Sequence, residues 1–168
     1  MLSESARMSS AHEAAYRIQY PNSKPRSVKI IALDKVSAGI VDEVSKQEWH
    51  GAAFFTSLSF AASNAPGQSL NAWLEDLAGR TMDLVAEVAS SDFVVVITAA
   101  GEDARAVSII ADACKAHSKT LVGLVVPQDD TDDDHVTASL NHLRPFTKML
   151  VVAHGVDYIQ AMLTALRA

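Results

Sequence analysis

At 168 residues, 49% hydrophobic and 20% charged, the chain is long enough for one domain and too apolar for an intrinsically disordered one. A single cysteine, Cys114, excludes a disulfide framework, and no apolar run reaches the roughly 18 residues of a membrane-spanning helix. A formal net charge of −6, from 14 Lys+Arg against 20 Asp+Glu, argues against a nucleic-acid or anionic-membrane binder. Residues 1–26 are polar and small, with Pro21 and Pro25 near their end, and read as a flexible arm; the folded domain is expected over 27–168. Met1–Ser10 carries Glu4 and Arg7 and lacks the apolar core of a secretory signal, so a cytoplasmic location is expected.

From Val28 the pattern alternates between strand-length apolar runs and helical stripes. Val28–Leu33 reads as a strand, Ser37–Lys46 as a helix with Ile40, Val41 and Val44 on one face, and Ala52–Leu58 as a second strand. Ala61–Gln68 has loop chemistry in Ser63, Asn64, Pro66 and Gly67. Ser69 then stands as an N-cap before Leu70, Trp73, Leu74 and Leu77, whose i, i+3, i+4, i+7 spacing predicts a helix resuming at Leu84, Val85 and Val88. Phe93–Thr98 is continuously apolar and β-branched, the signature of a strand buried on both faces. Asp103 is expected to cap a helix carrying Val107, Ile110 and Cys114. Thr120–Val126, the helix Asp132–Leu143, the strand Lys148–Ala153 and the helix Val156–Leu166 complete the series. Strands alternating with helices predict a three-layer, Rossmann-like α/β domain. Its mostly parallel sheet should have about five strands, with helices on both faces.

In such a sheet ligands sit at the carboxyl ends of the strands. That edge offers Lys35, Ser37 and Gly39 after the first strand and Asn64 and Gly67 after the second. Thr98, Ala100 and Gly101 follow the third strand, and His154 the last. A phosphate cradle needs glycines so that backbone N–H groups can approach the anion. The first loop has one glycine, Gly39, and an acid, Asp34, that would repel a phosphate. The plain alternative is a turn with Ser37 as helix N-cap. Glu102 and Asp103 likewise compete with any anion at the helix that follows the third strand. The run Gln128–His135 reads as a solvated acidic loop at a helix start rather than a metal loop, and Cys114 as a packed small hydrophobe. No Ser/His/Asp triad, paired-cysteine motif or P-loop is present, and no catalytic or metal-ligating residue is assigned. Trp49 and Trp73 read as packing or interface residues beside helices.

Val28–Phe55 resembles the start of the FtsZ/tubulin GTPase domain, with VKIIAL, DKVSA, GIVDEVSKQ and EWHGAAFF in register with that family's first strand, glycine loop, helix and second strand. Asp83–Ala99, Ile109–Val126 and Leu140–Ile159 are similar to later segments of the same domain. The resemblance covers most of Val28–Leu163 and implies a tubulin-like nucleotide-binding fold. The positions of its phosphate-binding glycines are held by Asp34, Lys35, Val36, Ser37 and Ala38. Its second glycine signature is replaced by Gly101, Glu102, Asp103, Ala104 and Arg105. The family's second domain, whose acids activate water, is not expected here. The resemblance therefore implies a degenerate domain without GTPase activity. Its expected role is protein interaction or self-association, and Trp49, Phe60 and Trp73 are candidate contact residues. The alternative is a binding module for GTP, GDP or another small ligand at the carboxyl edge, with no hydrolysis of its own. An enzyme of another class, working through Asp34, His154 or the acids Asp129–His135, ranks below both.

Overall fold

The computed structural model describes residues 25–57 and 73–168. Residues 1–24 of the arm expected over 1–26, Phe60, the loop residues Asn64 and Gly67, and the expected cap Ser69 lie outside the described residues. Five parallel strands form the centre of the sheet: β1 (Val28–Ala32), β2 (Ala52–Thr56), β5 (Phe93–Ala99), β6 (Thr120–Val126) and β7 (Met149–Val152). Two short antiparallel strands, β3 (Trp73–Asp76) and β4 (Thr81–Asp83), extend one edge, giving the order β4-β3-β2-β1-β5-β6-β7. The sheet thus has seven strands rather than five, because a segment expected to be helical is a hairpin.

Among the described residues five helices cover the sheet: α1 (Lys35–Ser45), α2 (Leu84–Ala89), α3 (Val107–Ala116), α4 (Asp133–Leu143) and α5 (Val156–Ala165). Strand alternation divides the core in two. Val28, Ile30, Ala32, Val95, Ile97, Val122 and Leu124 face α1 and α5, meeting Val41, Val44, Ile159 and Leu163. Ile31, Val94, Val96, Leu121 and Val125 face the other helices, meeting Leu84, Val88, Val107, Ile110 and Leu143. Both sides of β5 are therefore dry, which is why its sequence is continuously apolar rather than alternating. The chain steps from β1 to β2 in one direction and from β5 to β7 in the other. Crossovers of one hand must then put α1 on the opposite face from α3 and α4, as observed.

The helix expected from the Leu70–Leu77 stripe is, over its described residues 73–77, a strand and a turn instead. Leu74 pairs with Met82 across the hairpin and is fully buried against Phe55 and Leu84, whereas Leu77 stands exposed in the turn. The turn is built by Asp76. Its Oδ1 accepts from the N–H groups of Ala78 (3.0 Å) and Arg80 (2.8 Å), and its Oδ2 accepts from Arg80 Nε (2.7 Å). Gly79 takes φ +79°, a left-handed conformation in which a side chain is strained. An acid that hydrogen-bonds its own turn, followed by a left-handed glycine, ends one strand and starts the next within five residues. Asp83 then caps α2, accepting from Val85 N at 2.8 Å.

Candidate functional site

The order of the parallel strands reverses between β1 and β5, and the crevice outside their carboxyl ends is where a sheet of this kind receives ligands. Here that crevice is filled by the chain itself. Asp34, 5% exposed, stands at the N-cap of α1. Its Oδ1 accepts from Ser37 N–H at 2.7 Å. Its Oδ2 accepts from Thr98 Oγ1 at 2.8 Å and from Ala99 N–H at 3.0 Å. Ser37 Oγ in return accepts from Asp34 N–H at 3.1 Å, completing a capping box. Ser37 is therefore the third helical residue and not the N-cap. The spacing Asp-x-x-Ser was the available signal, since it permits a reciprocal pair of hydrogen bonds.

The consequence is electrostatic as well as steric. The Ser37 N–H of this helix start and two donors of β5 already hold a carboxylate, so a phosphate here would meet a negative charge. Ser37 and Thr98 are fully buried in that arrangement. Lys35 is exposed on the first turn of α1. Gly39 lies exposed within the same helix, with open space where a side chain would stand.

The loop after β5 is also committed to internal contacts. Ala100 is buried, and its N–H donates to Val126 O at 3.0 Å. Gly101 takes φ +84° and its N–H donates to Ser139 Oγ on α4 at 2.9 Å. A Cβ at Gly101 would come within 3.1 Å of the His135 ring. The glycine serves the close approach of this loop to α4. Asp103 does not cap α3, whose N-cap is Ala106 and lacks a side-chain cap. Asp103 instead chelates its neighbour Arg105, with Arg105 Nη2 at 2.7 Å from Oδ2. That guanidinium holds the Asp103 carboxyl below its ordinary value.

His154 stands exposed just beyond β7 and lines a cavity of about 490 Å3 with Ile40, Val126, Pro127, Gln128, Asp129, Gly155 and Val156. This concavity lies over the ends of β6 and β7 between α1 and α5. Its first-turn neighbour α5 begins at Gly155, φ +99°, without a side-chain cap. Of its lining residues only His154 was singled out as a binding candidate from the sequence. The others are apolar or loop residues whose convergence depends on the α1–α5 contact.

Of the acidic run, Asp132 caps α4 and Asp133 and Asp134 stand in its first turn. Asp132 caps α4 by accepting from His135 N–H at 3.0 Å, which with the adjacent imidazole holds its carboxyl below the ordinary value. Among the described residues no three His, Cys, Asp or Glu side chains are grouped to hold a metal ion. Among those residues, too, no helix is long and apolar enough to cross a membrane. Trp49 is half-buried, packs on Phe54 at 6.0 Å and donates its indole N–H to Val44 O, so it is a packing residue. Trp73 lies in β3, opposite Asp83.

Cys114 is buried on α3, and burial pushes its thiol up from an ordinary 9.0 to about 11. Alkylation by iodoacetamide in the folded protein is expected to stay slow up to pH 9 and to become fast on adding denaturant; fast reaction at pH 8 without denaturant would contradict this burial. A raised thiol pKa stabilises the fold below the unfolded value. That contribution is lost as pH rises from about 9 towards 11.

The chain matches no protein-family profile, and no curated protein aligns with it significantly. The functional reading therefore rests on the chemistry of this edge.

Proposed function

We propose that the chain is a non-catalytic, FtsZ/tubulin-like domain whose phosphate-binding end is closed from within and which works through protein interaction or assembly. The observation that carries this reading is the Asp34 carboxylate on Ser37 N, Thr98 Oγ1 and Ala99 N, which occupies three donors at the phosphate end with a negative charge. Exposed apolar side chains support a contact role. Val36 and Tyr158 are 38% and 48% exposed, and each lies in the first turn of its helix, on the two helices that pack together at this edge. Purified protein is expected to turn over no GTP above background. Its thermal unfolding midpoint should stay unmoved by millimolar GTP, GDP, ATP or NAD, since a ligand at 100 times its Kd would add about 2.7 kcal/mol. Nucleotide-specific stabilisation or GTP turnover would defeat the proposal. Sedimentation across a concentration series, with Tyr158→Ser as comparison, tests self-association.

A second reading is a small-ligand module without hydrolysis. The cavity of about 490 Å3 beside His154 favours it, because that volume lies within the range of ligand sites and the opening is at the carboxyl edge.

A further inference from the structure

The two edges of the sheet differ in length and polarity. At one edge β4 (Thr81–Asp83) is short, and Thr81 and Asp83 are exposed. Short strands and charged residues blunt an edge against pairing with other chains. At the other edge β7 reads Met-Leu-Val-Val, without a charge or a proline. Met149 is exposed and Leu150, Val151 and Val152 are half-buried, whereas the inner strand β5 is wholly buried. Among the described residues β7 pairs with β6 alone, so the backbone N–H and C=O groups on its outer side have no strand to bond.

The charges around this edge are sorted by end. The segments leading into β6 and β7, residues 115–119 and 144–148, carry Lys115, Lys119, Arg144 and Lys148 and no acid. The segment leading out of β6, residues 127–134, carries Asp129, Asp130, Asp132, Asp133 and Asp134 and no lysine or arginine. Among the described residues none of the four cations forms an ion pair, and of the five acids only Asp132 does, with His135. Because β6 and β7 are parallel, the cations gather at their amino ends and the acids at the carboxyl end. A strand from a second copy laid parallel to β7 would set like charges side by side. Laid antiparallel, the cationic end of each copy lies beside the acidic end of the other, twice about one two-fold axis. The lateral distance from β7 of one copy to β6 of the other is two strand spacings, about 10 Å, which is about the Debye length at 0.1 M salt.

We infer that a second copy of this chain docks on β7, edge to edge and antiparallel, so that one sheet runs through both copies. This inference rests on the protein-interaction reading above and names the partner and the surface.

The test is sedimentation velocity of the full chain from micromolar to millimolar concentration. The parent should show a monomer–dimer equilibrium that weakens as salt is raised. Met149→Lys puts a charge on the edge and should raise the dimer Kd about tenfold or more. Lys148→Glu in one protein, and Asp129→Lys with Asp130→Lys in another, should each weaken the homodimer about tenfold. An equimolar mixture of those two proteins should restore the dimer, because each reversed charge then faces its opposite. All four positions are exposed, so the variants should keep the parent's unfolding midpoint, measured alongside. A dimer unmoved by Met149→Lys would overturn β7 as the contact. A mixture no tighter than either variant alone would overturn the antiparallel arrangement. A monomer at every concentration would overturn the second copy as occupant and leave the interaction reading with a different protein as partner. That reading fails separately, on GTP turnover or nucleotide-specific stabilisation.

Discussion

Replacing Asp34 with alanine is expected to destabilise the protein by about 3 kcal/mol, a fall in unfolding midpoint of about 10 °C for a chain of this size. Two losses add. The first is an N-cap, which costs about 1 kcal/mol. The second is the loss of a carboxylate acceptor by two buried donors on β5: Ala99 N–H is left without its partner, and Thr98 Oγ1 keeps only the longer bond to Ala99 O at 3.3 Å. Asp83→Ala supplies the comparison, because Asp83 caps α2 in an exposed position and bonds only its own helix. It should cost about 1 kcal/mol. Asp34→Asn keeps the shape but turns an NH2 towards either Ser37 N–H or the Thr98–Ala99 donors, so it should fall between the two. Denaturant unfolding of the three variants checks the ranking. Equal losses at Asp34 and Asp83 would mean that the link between α1 and β5 contributes nothing, and the case for a carboxylate closing the crevice would weaken with it.

Leu74→Ala should cost about 3 kcal/mol, the usual loss for a fully buried leucine whose neighbours cannot close the void. Leu77→Ala should change stability by less than about 0.5 kcal/mol, since Leu77 is 44% exposed in the hairpin turn. The pair is informative because the helical reading puts both leucines on one apolar face and so predicts comparable losses. In the hairpin, Leu74 belongs to the buried cluster that holds Phe55 and Leu84, while Leu77 stands exposed in the turn. Comparable destabilisation by the two substitutions would argue for a helix here and against β3 and β4.

Much of the architecture could be read from residue order. Thr120–Val126 coincides with β6, and the expected spans of β1, β5, β7, α4 and α5 differ from the observed ones by one or two residues at their ends. These elements were legible because their burial is nearly uniform. A strand dry on both faces is continuously apolar, and a helix against one face of a sheet carries its apolar residues three and four apart. The burial of Cys114 and the helix-capping place of Asp132 were legible for the same reason, since each depends on its own helix.

The hairpin was not legible, because four residues spaced i, i+3, i+4, i+7 fit a helix as well as they fit two strands joined by a turn. The Asp76–Arg80 bonds and the left-handed Gly79 close the turn, and the pairing of β3 with β2 joins the hairpin to the sheet. The same division runs through the candidate site. The order of predicted strands and loops places Asp34, Ser37, Thr98 and Gly101 at the ligand edge and shows that glycines are scarce there. It does not show that one carboxylate bonds both α1 and β5, because those partners are 64 and 65 residues apart in sequence. Nor does it join Ile40, Asp129 and His154 around one cavity. Local periodicity determined the elements, since hydrophobic burial acts along each segment. Which edge groups point at one another was decided by the packing of those elements, since hydrogen bonds of 3 Å need atoms that only the folded sheet brings together.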